Sequence, residues 1–423
     1  MGHKVLVIGG GGREHALAWR LAGSPSVAEI ATAPGNPGTA GLGPTLPVDV
    51  GDPVAIADLA ERQRFDLVVI GPEAPLVAGA VDELSRRSIP AFGPTASGAH
   101  IEGSKAFAKE VMVAAGAPTG GYLATADRDA AFAALERFAA PYVVKADGLA
   151  AGKGVRICDD LEEARDAVDD ALVRQAFGDA GATVVIEEFL HGPERSVFGV
   201  CDGTDVALLA PAQDYKRALD GDGGLNTGGM GAYTPVPGFG LADVGHLEDL
   251  IFRPVLRELA DRGTPYRGLL YAGLVETAAG PKLLEFNARF GDPETQVILP
   301  LLASDLGDLL WASATGSVDN VEVSWHDRAV VTVVLASGGY PGSYPTGVPI
   351  TGVADADAVD GVSVFHAGTA MDDQGRLVTA GGRVLGVTAA GADVEAARST
   401  AYDAADRISF DGLHRRSDIA AGL

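Results

Sequence analysis

Three polar residues, Glu285, Asn287 and Arg289, alternate along the run Lys282–Thr295. Side chains of a strand alternate between faces, so these three project to one side and Leu284, Phe286 and Ala288 to the other. A carboxylate and an amide oxygen two residues apart form a hard-oxygen pair suited to Mg²⁺. That ion takes few protein ligands and completes its shell with nucleotide phosphates and water. Arg289 on the same face supplies charge for a transferring phosphate. A half-exposed strand with ordinary polar residues is the weaker reading, because the apolar face is clean and the polar face chemically coherent.

A second stretch has complementary chemistry. A short apolar strand from Val143 runs through Lys145 into a loop holding Gly148, Gly152, Lys153 and Gly154. Glycines let backbone N–H groups approach a polyphosphate, and two ammonium groups beside them add charge. Taken alone, the loop reads equally as a flexible turn with solvated lysines. It is not a Walker A loop, whose G-x-x-x-x-G-K-[ST] order is absent here and is also broken at Gly98–Lys105, where Ser104 precedes Lys105. Any phosphate site therefore belongs to another architecture.

These residues need elements to position them. Thr183–Leu190 reads as a strand ending in Glu187, Glu188, Phe189 and Leu190. As a connector between two lobes it can offer backbone groups to an adenine edge; a core strand ending in solvated acids is the alternative. Gln213–Arg217, with Asp214 and Lys216, leads into the glycine-rich run Asn226–Tyr233. A loop so dense in charge and glycine inside a globular chain points to function. Around Lys145, strands at 121–123, 141–145 and 154–158 alternate with helices over 127–139 and 161–173, a small unit expected to move against its neighbours.

Residues 1–105 alternate buried strands (Lys4–Ile8, Glu29–Ala33, Asp66–Ile70, Ile89–Phe92) with helices over 13–23, 53–63 and 76–87. This pattern predicts a parallel sheet covered on both faces, with ligands beyond the strands' carboxyl ends. The first turn, Gly9–Gly12, is not a dinucleotide fingerprint: Glu14 and His15 stand where G-x-G-x-x-G needs its last glycine. A phosphate at the helix N-terminus remains open, with Arg13 beside it. Residues 326–423 show strands at 329–335, 362–366, 377–378 and 383–388 and a helix over 393–409. His366 reads as structural. The tail Arg415–Ile419 either caps the fold or touches substrate.

Composition sets limits. The 423 residues suit two to four domains, and 47% hydrophobic with 21% charged residues allows substantial cores. A net charge of −25 disfavours nucleic-acid and anionic-membrane partners. Cys158 and Cys201 have neither zinc nor disulfide spacing and read as small buried apolar residues. No window supplies the ~20 apolar residues of a membrane span, so a cytoplasmic protein is the default expectation.

The ordered set of motifs resembles one family. VLVIGGGGREHALAW, APGNPGT, GPEAPLVAG, FGPTASGA, EGSKAFAK, VVKADGLAAGKGV, IEEFLHGPE, NTGGMGAY, YAGL, LEFNARFGDPETQ, ASGGYPG and FHAGT together are similar to the phosphoribosylamine–glycine ligases, or glycinamide ribonucleotide synthetases, of the ATP-grasp superfamily. The resemblance covers nearly the whole chain. It implies an α/β and α+β multidomain fold: an N-terminal parallel, Rossmann-like α/β domain (1–105), a two-lobed ATP-grasp core (106–325, mobile lobe about 120–187) and a small C-terminal α+β domain (326–423). The implied reaction joins glycine to 5-phosphoribosylamine at the expense of ATP, through a glycyl phosphate, in purine synthesis.

The resemblance also implies roles. Lys105 and Lys145 would meet the nucleotide phosphates, and 148–154 would form a flap over them. Adenine would lie against Glu187–Leu190, with Glu194 near the ribose. Glu285 and Asn287 would hold Mg²⁺ or Mn²⁺, and Arg289 with Lys145 would act in catalysis. Gly10, Gly11, Gly12, Arg13, Glu14, Asp214, Lys216 and Asp292 would bind substrate. The partners expected are small molecules, and the chain is expected to be a monomer. Three positions depart from the family pattern: Tyr215 replaces a usual His, Leu225 a usual Pro, and Gly10 a frequent Asn or Ser. Competing readings are another ATP-grasp ligase or carboxylase, a non-catalytic nucleotide-binding or scaffold protein, and a nicotinamide-dependent oxidoreductase, the last disfavoured by the broken fingerprint.

Overall fold

Four parallel strands open the chain, ordered Val27–Pro34, His3–Gly9, Leu67–Ile70 and Ala91–Phe92. The computed structural model describes residues 2–148 and 154–423. Alternation along the second of these strands explains its burial on both sides. Val5 and Val7 pack with Leu17 and Leu21 of the helix Gly12–Ala22, while Leu6 and Ile8 pack with Ile56 and Leu59 of Pro53–Gln63 and Leu84 of Ala80–Arg86. The helix expected over 76–87 is two helices, Glu73–Val77 and Ala80–Arg86, because Gly79 turns the backbone to φ +92° between them.

A small antiparallel sheet follows, ordered Tyr122–Thr125, Val184–Glu187, Tyr142–Ala146 and Val155–Cys158. The helices Arg128–Leu135 and Leu161–Leu172 cover it and give it a core of its own, with Leu135, Val144, Val168 and Ile186 at its centre. The first helix is shorter than the 127–139 expected. The strand expected to reach Leu190 stops at Glu187, where the Glu188 N–H turns to the Gly121 carbonyl at 2.8 Å.

The strand bearing the metal-type pair, Gly280–Asn287, is the edge of a third sheet, ordered Val206–Leu208, Glu194–Asp202, Arg267–Thr277 and Gly280–Asn287. Its register slips at one point. Gly273 faces Glu285 and Leu274 faces Leu283, which leaves Leu284 as an unpaired extra residue. This bulge corrects the apolar face predicted from strict alternation: Leu283, not Leu284, is fully buried.

The fourth sheet draws strands from both sides of residue 325. Its order is Gln213–Asp214, Gly231–Thr234, Ala329–Ala336, Arg383–Gly391 and Val362–His366, all antiparallel. Val331 and Val387 of this sheet share a core with Ala397 and Ala401 of the helix Val394–Ala405, which ends short of the 409 expected. Gln213 and Asp214, at the start of the charged loop, are thus held by a sheet built mainly from the C-terminal region. Both cysteines are free and buried. Among the described residues, no helix is long and apolar enough to cross a membrane.

Candidate active site

The small sheet brings Lys145 to Glu187. Val143 is registered opposite Glu187 and Lys145 opposite Val185, so the two charged side chains are diagonal neighbours on one face. Lys145 Nζ lies 2.9 Å from Glu187 Oε1, and Lys109 Nζ lies 2.8 Å from Glu187 Oε2. All three residues are buried. The Lys145 contact is close but poorly aligned as a hydrogen bond, which leaves donors of that ammonium for another anion. Burial opposes charge on Lys145, but Glu187 and Glu285 outweigh it and raise its pKa. At Lys109 burial wins and the pKa falls. Lys109 also donates to Thr119 Oγ1 at 2.9 Å, and Thr119 donates to the Leu283 carbonyl at 2.8 Å, which ties this network to the metal-type strand.

Lys105 enters from the first turn of the helix Lys105–Ala114, and its ammonium donates to the Gly148 carbonyl at 2.8 Å. Ser104 caps that helix, and its hydroxyl donates to Asp147, which also accepts from the Ala106 N–H at 3.1 Å. Asp147 thereby fastens the start of the glycine loop to a helix N-terminus. Gly152 and Lys153 lie outside the described residues, so the flap expected over 148–154 is described only at Gly148 and Gly154.

Across the cleft, burial pushes the Glu285 carboxyl up, but Lys216, Lys145 and Lys105 more than offset this and hold it below its ordinary value. Asn287 follows two residues later, and its Oδ1 meets only a long contact of 3.4 Å from Arg289 Nη2. An ionised carboxylate and a nearly free amide oxygen fit a hard divalent ion. Among the described residues, no cluster of three or more His, Cys, Asp or Glu side chains could hold a metal alone. The donor set therefore suits an ion whose remaining ligands are phosphate oxygens and water.

Arg289 does not stand free on this face. Its Nη2 lies 2.9 Å from Glu102 Oε1 and its Nε 3.5 Å from Glu73 Oε2. Glu102 also accepts the Ala288 N–H at 2.7 Å. Arg289 thus braces the metal-type strand against the N-terminal unit.

Lys216 pairs with Glu194, which joins two residues expected to serve different ligands. Burial pushes the Asp214 carboxyl up to about 7 against the pull of Lys216, with Glu294 and Glu194 adding to the rise. Glu294 itself is buried and accepts from the Tyr271 hydroxyl at 2.9 Å; that hydroxyl lies 2.7 Å from Ser196 Oγ.

The opening glycine turn is closed rather than open. Glu14 accepts the Gly11 N–H at 2.6 Å, Arg13 Nε donates to Glu14 at 2.6 Å, and Arg13 Nη1 donates to the Phe290 carbonyl at 3.0 Å. Asp292 accepts the Arg13 N–H at 3.3 Å and Gln296 Nε2 at 2.9 Å. A side chain at Gly10 would strike the Gly35 carbonyl, and one at Gly12 the Gln296 amide. Arg13 Nε and Nη1 are thus held by partners within the fold.

This arrangement coincides with a family likeness over the whole chain. Profiles of the phosphoribosylglycinamide synthetase N, ATP-grasp and C domains match residues 3–102, 103–295 and 330–422. A phosphoribosylamine–glycine ligase from Streptomyces coelicolor is 52% identical over 424 aligned residues, 99% of each chain. The chain belongs to the phosphoribosylglycinamide synthetase family. The ligase of that name from Rhizobium meliloti is 49% identical over 98% of this chain and 97% of its own. The crystal structure of the Thermotoga maritima ligase superposes with a TM-score of 0.85 at 35% identity, covering 98% of this chain and all of that one. The biotin carboxylase domain of a Hydrogenobacter thermophilus 2-oxoglutarate carboxylase shares the fold, with a TM-score of 0.74 at 16% identity, over 98% of this chain and 92% of its own.

In this family member the structure brings Lys105, Lys145, Lys216 and Glu187 near Glu285, with Glu194 on Lys216 and Gly148 on Lys105. Gly10–Glu14, Asp292 and Arg289 gather at the junction with the N-terminal unit. Glu188 accepts the Gly121 N–H at 3.1 Å, Phe189 packs edge-on against His191, and Leu190 is buried beside Gly120. Sequence reasoning missed Lys109, Glu102 and Glu294. Lys109 left a signal: it lies four residues after Lys105 on the helix face that also carries the apolar Ala108 and Met112.

Proposed function

We propose that this chain joins glycine to 5-phosphoribosylamine and converts ATP to ADP and phosphate, the glycinamide ribonucleotide-forming step of purine synthesis. The observation that carries the reading is full-length likeness to ligases of that name, together with the buried Lys145–Glu187 pair and the half-buried Lys105 beside Glu285.

A carboxylate does not acylate an amine at neutral pH, because its oxide is a poor leaving group. A glycine carboxylate oxygen attacks the γ-phosphorus, the bond from that phosphorus to the β-bridging oxygen breaks, and ADP leaves. The phosphoribosylamine nitrogen then attacks the glycyl carbonyl carbon. The carbon–oxygen bond to phosphate breaks, and the nitrogen loses a proton to solvent. Positioning and charge neutralisation carry most of such a reaction. Lys145 and Lys105 meet the phosphates, Lys216 the transferring group, and Arg289 holds the strand of Glu285 in register. Glu285 and Asn287 would hold Mg²⁺ or Mn²⁺, whose chemistry here is charge neutralisation at phosphate oxygens. Adenine lies against Glu187–Leu190 and the ribose near Glu194. Gly148–Gly154 closes over the phosphates to keep water from the acyl phosphate. Gly10–Glu14, Asp214 and Asp292 serve the amine and acid substrates.

We also infer a monomer of three parts, 1–105, 106–325 and 326–423, acting on small molecules in the cytoplasm. A net charge of −25 supports the exclusion of anionic polymers.

The test is ADP release with each substrate omitted in turn. Turnover that needs both glycine and phosphoribosylamine is expected. Turnover with a different acid, or without the amine, would assign the chain to another ATP-grasp reaction.

A further inference from the structure

The C-terminal segment lies along the hairpin of strands Arg217–Leu219 and Gly223–Asn226, which Lys216 immediately precedes, and one buried guanidinium anchors it. Arg416 is 1% exposed. It grips Asp418 through two bonds of 2.7 Å, donates to Asp222 at 2.8 Å and donates to the Arg217 carbonyl at 3.1 Å. Its guanidinium carbon stands 4.8 Å from the centre of the Tyr215 ring. Neighbouring contacts repeat the attachment. The Ala420 N–H donates to Tyr215 Oη at 2.9 Å, the Ser417 N–H to Asp220 at 2.8 Å, and the Gly221 N–H to Asp418 at 2.8 Å. His414 Nε2 meets the Ala218 carbonyl at 2.8 Å.

Lys216 lies between Tyr215 and Arg217, two of the residues that Arg416 touches directly. Its other flank is fixed from within the loop: the Thr227 N–H donates to the Lys216 carbonyl at 2.7 Å, and the Met230 N–H to the Tyr215 carbonyl at 2.8 Å. The hairpin thus has internal pairing on one side and the chain's C-terminal segment on the other. Tyr215, where the chain departs from the family pattern, supplies both a ring for the guanidinium and a hydroxyl for Ala420.

We propose that Arg416 is a positioning residue for the reaction, fixing the backbone on both sides of Lys216 so that its ammonium meets the transferring group. The proposal rests on the reading of Lys216 given above. It makes the last ten residues part of the active-site scaffold, and it accounts for the tail as a support for the substrate loop that makes no substrate contact of its own.

The experiment measures kcat, the KM for ATP and urea unfolding for full-length wild type, Arg416→Ala, Arg416→Lys and Tyr215→Phe. Loss of Lys216 alignment lowers kcat of Arg416→Ala about tenfold, since small misplacements are expensive in phosphoryl transfer. The KM for ATP changes less than kcat, because Glu194 is the nucleotide-side residue that Lys216 touches while Lys105 and Lys145 are held by Gly148 and Glu187. Arg416→Lys recovers part of the loss by keeping the charge. Tyr215→Phe removes one hydroxyl and keeps the ring; it lowers kcat about threefold and provides the readout if Arg416→Ala does not fold. Unchanged kcat in Tyr215→Phe, or equal losses in kcat and in ATP affinity in Arg416→Ala, overturns the proposal. Wild type that needs neither glycine nor phosphoribosylamine would instead sink the reading of the reaction, so the two failures are distinct.

Discussion

The Glu187 carboxylate lies 2.9 Å from the Lys145 ammonium on one oxygen and 2.8 Å from Lys109 on the other. Lys145, at the end of its strand, is therefore oriented by a carboxylate that a second lysine already neutralises. Replacing Lys109 by Met leaves Glu187 with half its compensation. Breaking a buried pair from one side costs about 3–5 kcal/mol. Urea unfolding of Lys109→Met is expected to show a loss of this order, with a raised KM for ATP. A loss below about 1 kcal/mol would mean that the pair behaves as an exposed one.

Glu285 and Asn287 lie two residues apart on one strand, and the three lysines around Glu285 favour its ionised form. The double variant Glu285→Ala, Asn287→Ala is expected to lose turnover by at least about a hundredfold while its unfolding midpoint stays near that of wild type. Normal turnover in Mg²⁺ would remove the metal assignment.

His15 and His366 give the fold a pH dependence. The His366 N–H donates to His15 Nδ1 at 2.8 Å, so the His15 proton sits on Nε2 and the ring is held neutral. Burial, then the neighbouring His366, lowers the His15 pKa to about 3; burial lowers His366 to about 4. Between these values and an unfolded value of about 6.5, the unfolded chain binds protons that the folded one does not. Their contribution is fully present above about pH 6.5 and is lost as pH falls toward 4, by ~2 kcal/mol per histidine at about pH 5. Unfolding at about pH 7.5 and pH 5 checks this. His15→Gln should show a smaller difference between the two than wild type.

Asp214 moves the other way. With its pKa raised to about 7, the folded chain holds a proton that the unfolded chain releases at about pH 4, so the contribution of this group to stability is fully present below about pH 4, declines above it and is gone once pH has risen through 7. If ionised Asp214 binds substrate, kcat/KM rises through the same range and the limb disappears in Asp214→Asn. An unchanged limb would free Asp214 from that role.

Much of this was legible in residue order. The buried strands at Val5–Ile8 and Leu67–Ile70 were evident because both faces of a parallel sheet are covered, and Glu285 and Asn287 because alternation is a local property. The rest depended on contacts distant in sequence. Nothing near Arg13 shows that Phe290 and Asp292 occupy it, and nothing near Glu187 shows that Lys109 shares its carboxylate. Leu284 was misplaced because a bulge breaks the two-residue period that carried the inference. The helix over 76–87 was read through Gly79, whose positive φ ends one helix before the next begins.

The central claim is that ATP activates the carboxylate of glycine for attack by an amine. Glycine labelled with ¹⁸O in both carboxylate oxygens, incubated with ATP and phosphoribosylamine, tests it by mass spectrometry of phosphate and amide product together. The account predicts one labelled oxygen in the released phosphate and one retained in the amide. Phosphate without label, alongside ADP release, would contradict it.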